Sequence, residues 1–170
     1  PTPELDDNYY GRSFSEGLAA VKIKDMWGFI DKTGKLVIQP QYIEAWSFSE
    51  GLAAAEVPID RTEQPPCEMR GDPPSRYWVS KKYGYIDKTG KMVIPPGYEY
   101  AGPFVDGLAN VSSCRHVSFI DKSGKTRIDT QYEYGSPFSG GLAEVQIGDE
   151  RGLRRGYIDQ TGKVVWEPSN

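Results

Sequence analysis

Apolar and polar side chains alternate along short stretches of the chain, and the stretches are punctuated by glycine, aspartate and proline. In the first stretch Ala19, Val21 and Ile23 fall on one side of an extended backbone, and Ala20 and Lys22 on the other. Farther along, the second set is replaced by Ala54 and Glu56, by Asn110 and Ser112, and by Glu144 and Gln146. Successive strand side chains point to opposite faces, so this period of two predicts a strand with one covered face and one wet face. In the next stretch both parities are apolar. Ile30, Ile86, Ile120 and Ile158 share one face, and Phe29, Tyr85, Phe119 and Tyr157 share the other. Such a strand is predicted to be buried on both sides. A third stretch carries Leu36 and Ile38, then Met92 and Ile94, with Arg127 on the opposite parity in the third copy.

These stretches come round four times. Phe14-Ser15-Glu16-Gly17-Leu18-Ala19 returns as residues 48–53, 104–109 and 138–143. Phe29-Ile30-Asp31-Lys32-Thr33-Gly34 returns as residues 85–90, 119–124 and 157–162. From each turn glycine to the next Gly-Leu-Ala glycine the step is 17 residues (34 to 51, 90 to 107, 124 to 141). Within a unit, from Gly-Leu-Ala to the turn glycine, it is 17, 39, 17 and 21. One half of the unit is therefore rigid in length, and the other accepts insertions at a single hairpin. A period of this kind sets the architecture. It divides the chain into units at about 9–42, 43–98 with an insertion at 58–80, 99–132 and 133–170.

Asp31-Lys32-Thr33-Gly34 also opens the phosphorylated loop of P-type ion pumps, where the aspartate is a nucleophile. Repetition decides against that chemistry here. A nucleophile needs one pocket with metal and phosphate ligands, whereas Asp31, Asp87, Asp121 and Asp159 each precede a glycine (Gly34, Gly90, Gly124, Gly162) between two strands. The carboxylate can accept from backbone N–H groups just downstream, and the glycine takes the left-handed conformation that closes the hairpin. The connections are regular too. Tyr42, Tyr98 and Tyr132 each stand six residues ahead of a phenylalanine, and this aromatic pair is expected to pack beneath the loop and join adjacent units. The chain opens late in such a connection and closes early in one. That phasing suits both a ring whose ends meet and a run of units from a longer array.

Trp27-Gly28-Phe29-Ile30-Asp31 with Gly34-Lys35, then Pro40 and Tyr42, then residues 48–53, closely resembles the WG (KWG) repeat, four times over. The resemblance spans nearly all of the chain except residues 1–8 and the insertion. The Trp-Gly pair itself varies, becoming Tyr83-Gly84, Val117-Ser118 and Arg155-Gly156. The family is mainly bacterial. Membership implies all-β repeats that act as interaction surfaces, and it carries over no catalytic residues.

Composition agrees with short strands and tight turns: 19 Gly, 13 Pro and 11 Tyr in 170 residues, with Ala-Leu-Glu-Lys helical runs almost missing. A formal net charge of −4 and the lack of any basic stripe argue against a nucleic-acid partner. No apolar run approaches the roughly 18 residues of a membrane-spanning helix, so no membrane insertion is expected. The start has no signal-peptide pattern, and Pro1 in place of methionine suggests that a leader or upstream region was removed. The compartment is open, with secreted or cell-envelope placement preferred to cytoplasmic.

The insertion is the most individual segment, rich in proline and charge. Long loops on a rigid scaffold often carry function. Unit four has a small insertion at the same hairpin, so the two project from one edge. The candidate binding edge comprises Arg70, Asp72, Tyr77 and Trp78 in the insertion, Asp149 and Arg151 in unit four, and the exposed aromatic Trp46. Arg70-Gly71-Asp72 matches the tripeptide that integrins recognise, but three residues carry little information. Cys67 and Cys114 lie at the same hairpin of consecutive units, and either a disulfide or two separate thiols fits. His116 is the single histidine, without the partners of a metal site or a catalytic triad. Trp27 and Trp166 are expected to pack between units, leaving Trp46 and Trp78 exposed.

The reading is an all-β tandem repeat of short three-stranded antiparallel meanders. An open solenoid-like array is favoured, with a small closed propeller-like ring as the alternative. Its expected role is a non-catalytic module, needing no cofactor or metal, that binds a protein partner through the loop edge. The alternative is a glycan or cell-surface binder using the exposed aromatics.

Overall fold

The computed structural model describes residues 11–58, 82–113, 116–149 and 152–166, and all regular structure among them is β. The first sheet holds β1 (Leu18–Ile23), β2 (Met26–Asp31) and β3 (Leu36–Tyr42). The second holds β4 (Glu44–Ala45), β5 (Ala53–Glu56), β6 (Tyr83–Ile86) and β7 (Met92–Tyr98). The third holds β8 (Tyr100–Val105), β9 (Leu108–Ser113), β10 (His116–Asp121) and β11 (Thr126–Asp129). The fourth holds β12 (Tyr134–Gly135), β13 (Leu142–Asp149), β14 (Gly152–Asp159) and β15 (Val164–Trp166). Every pairing is antiparallel between neighbours in sequence.

The connection between units supplies a short extra strand that the apolar pattern did not announce. Ala45 pairs with Ala55, Ala101 with Val111 and Gly135 with Val145, and in the first sheet a single bridge joins Gly11 to Val21. In the first, second and fourth sheets these segments are too short to show a period, and in the six-residue β8 a register shift between Ala101 and Phe104 interrupts it. What makes them is the turn that follows. In Ser15-Glu16-Gly17-Leu18 both central residues are left-handed, with φ of 51° and 90°, and Ser15 pairs with Leu18. This is the two-residue hairpin whose twist matches that of the flanking strands. Glu50-Gly51, Asp106-Gly107 and Gly140-Gly141 repeat it. The β2–β3 hairpin is closed by its own chemistry. Asp31 Oδ1 accepts from the Thr33 N–H (2.8 Å), the Thr33 hydroxyl (2.6 Å) and the Lys35 N–H (3.1 Å). Asp87, Asp121 and Asp159 do the same within 0.1 Å.

The sheets stack in an open array, with one apolar cluster at each of three junctions. Phe29 meets Phe48, Tyr85 meets Phe104 and Phe119 meets Phe138, each with ring centroids 4.9 Å apart. The rings that pair across a junction thus come from the central strand. The tyrosine of the connection joins adjacent units as expected, though not as the phenylalanine's ring partner: Tyr42 lies with Phe48 in the first cluster and donates its hydroxyl to the Gly90 carbonyl of the next sheet (2.9 Å). Polar clamps reinforce the first two junctions. Glu16 accepts from the Gly51 N–H (3.0 Å) and from Lys88 Nζ (3.0 Å), and Ser15 donates to the Phe48 carbonyl (2.6 Å). Glu50, Gly107, Lys122, Ser49 and Phe104 repeat the set.

Stacking also corrects the expected wet face of the first long strand. Ala54, Glu56 and Asn110 are all buried, because that face is covered by the next sheet. Asn110 donates its amide N–H to the Gly135 carbonyl (2.7 Å), while its Oδ1 is buried without a hydrogen-bond partner among the described residues. Trp27 packs in the first junction as expected, but Trp166 does not: no other sheet among the described residues lies over it, and it is 54% exposed.

The glycine of the Trp-Gly pair has a structural reason. A Cβ on Gly28 would stand 2.5 Å from the Ile38 carbonyl oxygen and 2.8 Å from the Pro40 nitrogen, and Gly84 is crowded in the same way by Ile94 and Pro96. The third strand leans over this position where proline follows it. In the third sheet Thr130 replaces the proline, β11 is shorter, and Ser118 is accommodated opposite Asp129.

Candidate functional site

The short extra strands of the first three sheets border a single groove of about 550 Å³, lined by residues 11–13, 46–47 and 100–103. The same segment of each unit is used three times, so the groove follows from the repeat itself. Its walls differ because the residues at that position differ.

Arg12 is the organising side chain. Its guanidinium carbon lies 3.9 Å from the centroid of the Trp46 ring and 5.0 Å from that of Trp27. Nε donates to the Ala45 carbonyl (2.8 Å), and Nη2 pairs with Glu44 Oε1 (3.1 Å). The other oxygen, Oε2, accepts the Tyr83 hydroxyl (2.5 Å). Burial, and then the hydrogen bond to and charge of Glu44, push the Tyr83 hydroxyl well above the ordinary tyrosine range, so it remains a donor. Trp46 is thereby held flat against a cation whose charge is already neutralised. A cation over an indole face is attracted by the ring quadrupole, and a side chain fixed this way loses little freedom when something binds it. Across the groove Tyr100 is 44% exposed, against 39% for Trp46. Gly11, Ser13, Ser47, Ala101, Gly102 and Pro103 complete the lining. The arrangement suits contact and stacking by large planar groups.

Of the residues singled out from sequence, Trp46 lies in this groove, just past β4, with its backbone N–H bonded to the Ala54 carbonyl (2.9 Å). Asp149 pairs with Gly152 at the tip of the β13–β14 hairpin. Arg70, Asp72, Tyr77, Trp78, Arg151 and both cysteines, Cys67 and Cys114, fall outside the described residues. His116 opens β10 opposite Ser113. Among the described residues no three His, Cys, Asp or Glu side chains come close enough to share a metal ion. Arg12 and Tyr100 escaped sequence reasoning. The available signal was that Arg12, Trp46 and Gly102 occupy the same place in their units, one residue after the short strand's bridge residue.

A family model described as a WG containing repeat matches residues 8–27, 27–57, 83–112 and 118–150. No curated protein matches the chain. The segment 27–57 runs from β2 through β5, 83–112 from β6 into β9, and 118–150 from β10 through β13. Each of these three segments therefore crosses a junction between sheets.

Proposed function

Because the chain belongs to the WG containing repeat family, we propose that it is a non-catalytic β-repeat module that captures a protein partner. The proposed contact surface is the groove of the short strands, with the loop edge as a second contributor. One observation carries this reading: Arg12, Trp46 and Tyr100, contributed by three different sheets, converge on one concave surface. Tryptophan, tyrosine and arginine are the residue types that dominate binding energy at protein interfaces, above all in pockets where they are held rigid. An extended segment of the partner, laid across the three short strands, would meet both rings and find polar groups at the groove floor.

Selection of a displayed random-peptide library on the purified chain tests this. Wild type is expected to enrich a shared sequence pattern, and Trp46→Ala with Tyr100→Ala to lose it, with synthetic peptides from that pattern weakened at least tenfold, roughly the loss of one interface hot spot. A chain lacking residues 59–80 then shows how much the loop edge adds. No enrichment, or enrichment indifferent to both changes, overturns the reading. Saccharides that shift Trp46 fluorescence while peptides do not would transfer the groove to a glycan ligand, which exposed aromatic rings also serve.

A further inference from the structure

Each junction inside the array is assembled from the same parts. One sheet offers a central-strand ring (Phe29, Tyr85 or Phe119) and a third-strand isoleucine (Ile38, Ile94 or Ile128). The next sheet brings a phenylalanine onto the ring at 4.9 Å and a turn glycine onto the isoleucine. A Cβ on Gly90, Gly124 or Gly162 would come within 2.9, 3.1 and 2.7 Å of that isoleucine's Cγ2. The receiving rings and the incoming Phe48, Phe104 and Phe138 are all buried, none more than 2% exposed.

Among the described residues the outer faces of the first and fourth sheets carry these parts unmatched. In the fourth sheet Tyr157 holds the ring position and Trp166 the isoleucine position; they face each other at 6.0 Å and remain 37% and 54% exposed. In the first sheet Phe14, the counterpart of Phe48, is 50% exposed, and a Cβ on Gly34 would meet nothing within 4 Å. Ile30 is half-buried where Ile86, Ile120 and Ile158 are fully buried.

We infer that the fourth sheet of one copy of this chain docks on the first sheet of a second copy, head to tail, with Phe14 over Tyr157 and the turn at Gly34 over Trp166. The occupant is argued from the molecule's own junctions. All three equivalent faces in the chain are covered by a sheet of the same kind in the same sense. A tail-to-tail pairing would instead set Trp166 against its own copy, with no glycine to receive it, and leave Phe14 bare. Ala19 and Val21, on the same face of the first sheet, are already buried within the chain, so the seat is its turn-side part. Gly140 stands where Glu16 and Glu50 hold their clamps, so the contact between copies lacks that carboxylate. It is therefore weaker than an internal junction and shows itself as protein concentration rises. A heterologous contact of this kind propagates unless it closes into a ring.

Sedimentation velocity on the 170-residue chain across a concentration series tests this, with Phe14→Glu and Trp166→Glu as the decisive variants. Wild type is expected to gain mass with concentration, and each variant alone to remain monomeric. Mixed in equal amounts they should form a one-to-one dimer and nothing larger, because each retains one intact end. Far-UV circular dichroism confirms folding, and Phe14→Ser and Trp166→Ser serve if a glutamate disturbs it. A wild type that stays monomeric throughout, a variant that still self-associates alone, or a mixture that does not pair would each overturn the inference.

Discussion

Asp87 shows how much one side chain does in a turn of five residues. A single oxygen, Oδ1, accepts from two backbone N–H groups and one hydroxyl, at 2.9, 3.1 and 2.5 Å. Three donors favour the charged carboxylate, so Asp31, Asp87, Asp121 and Asp159 all titrate below the usual aspartate range, led by the hydroxyl two residues on. Glu16 and Glu50 are lowered as well, first by the hydrogen bonds from Lys88 and Lys122. A pKa lower in the folded than in the unfolded chain adds stability above the unfolded value, and that stability is lost as pH falls through the folded value. The urea midpoint is therefore expected to stay level from neutral pH to about 5 and to fall below about 4, near the ordinary carboxylate values. Replacing the four turn aspartates with asparagine should shrink that fall. The asparagine carbonyl still accepts from the backbone but has no charge to lose. A fall as steep in the fourfold variant would mean that the acid sensitivity lies elsewhere. This part of the molecule was legible in the sequence because donor and acceptor are at most four residues apart.

At the scale of the element, glycines that look alike in sequence do different work. Gly34 and Gly90 share a left-handed backbone, with φ of 79° and 83°. Beyond Gly34 the space is open, whereas Gly90 lies against Ile38 of the preceding sheet. Alanine at either position meets the left-handed penalty, about 1–2 kcal/mol. At Gly90 it must also displace a buried isoleucine, and overpacking of that kind costs about another 1–3 kcal/mol. Urea denaturation should thus rank Gly90→Ala clearly below Gly34→Ala in stability. Equal losses would show that the turn does not press on its neighbour. The strand pattern has the same limit. Alternation identified the long strands, yet it assigned Glu56 and Asn110 to a wet face, because polarity along one strand carries no information about the sheet that will lie over it. The extra strands stayed hidden for a different reason: one or two residues have no period to read, and the six of β8 are interrupted by a register shift.

Across the whole molecule the junctions are unequal. Between the third and fourth sheets Val105, Asp106 and Gln160 replace the serine, glutamate and lysine of the earlier clamps, and none of those three contacts forms among the described residues. In a stacked array each sheet is held only by its neighbours, so stability is the sum of sheet and junction contributions. The fourth sheet is therefore expected to open first. Hydrogen exchange should be slowest in β6 and β10, whose Tyr85, Ile86, Phe119 and Ile120 are covered on both faces, and faster in β13 to β15. Restoring the clamp with Val105→Ser, Asp106→Glu and Gln160→Lys should slow exchange in the fourth sheet by about five- to 150-fold, since partly exposed polar contacts are worth about 0.3–1 kcal/mol each and three are restored. Uniform exchange across the four sheets, or no change in the restored chain, would count against a stepwise array.

The sequence by itself determined the repeat, its length, the three long strands of each unit and the turns between them, since all of these depend on side chains a few residues apart. It also marked Trp46 as an aromatic on show, though not its companions. Tertiary structure alone decided which faces are covered, why Trp27 is buried while Trp166 is bare, and that Arg12, Trp46 and Tyr100 share a groove. The physical reason is that burial belongs to pairs of sheets. An identical motif is core where a neighbour lies on it and surface where none does.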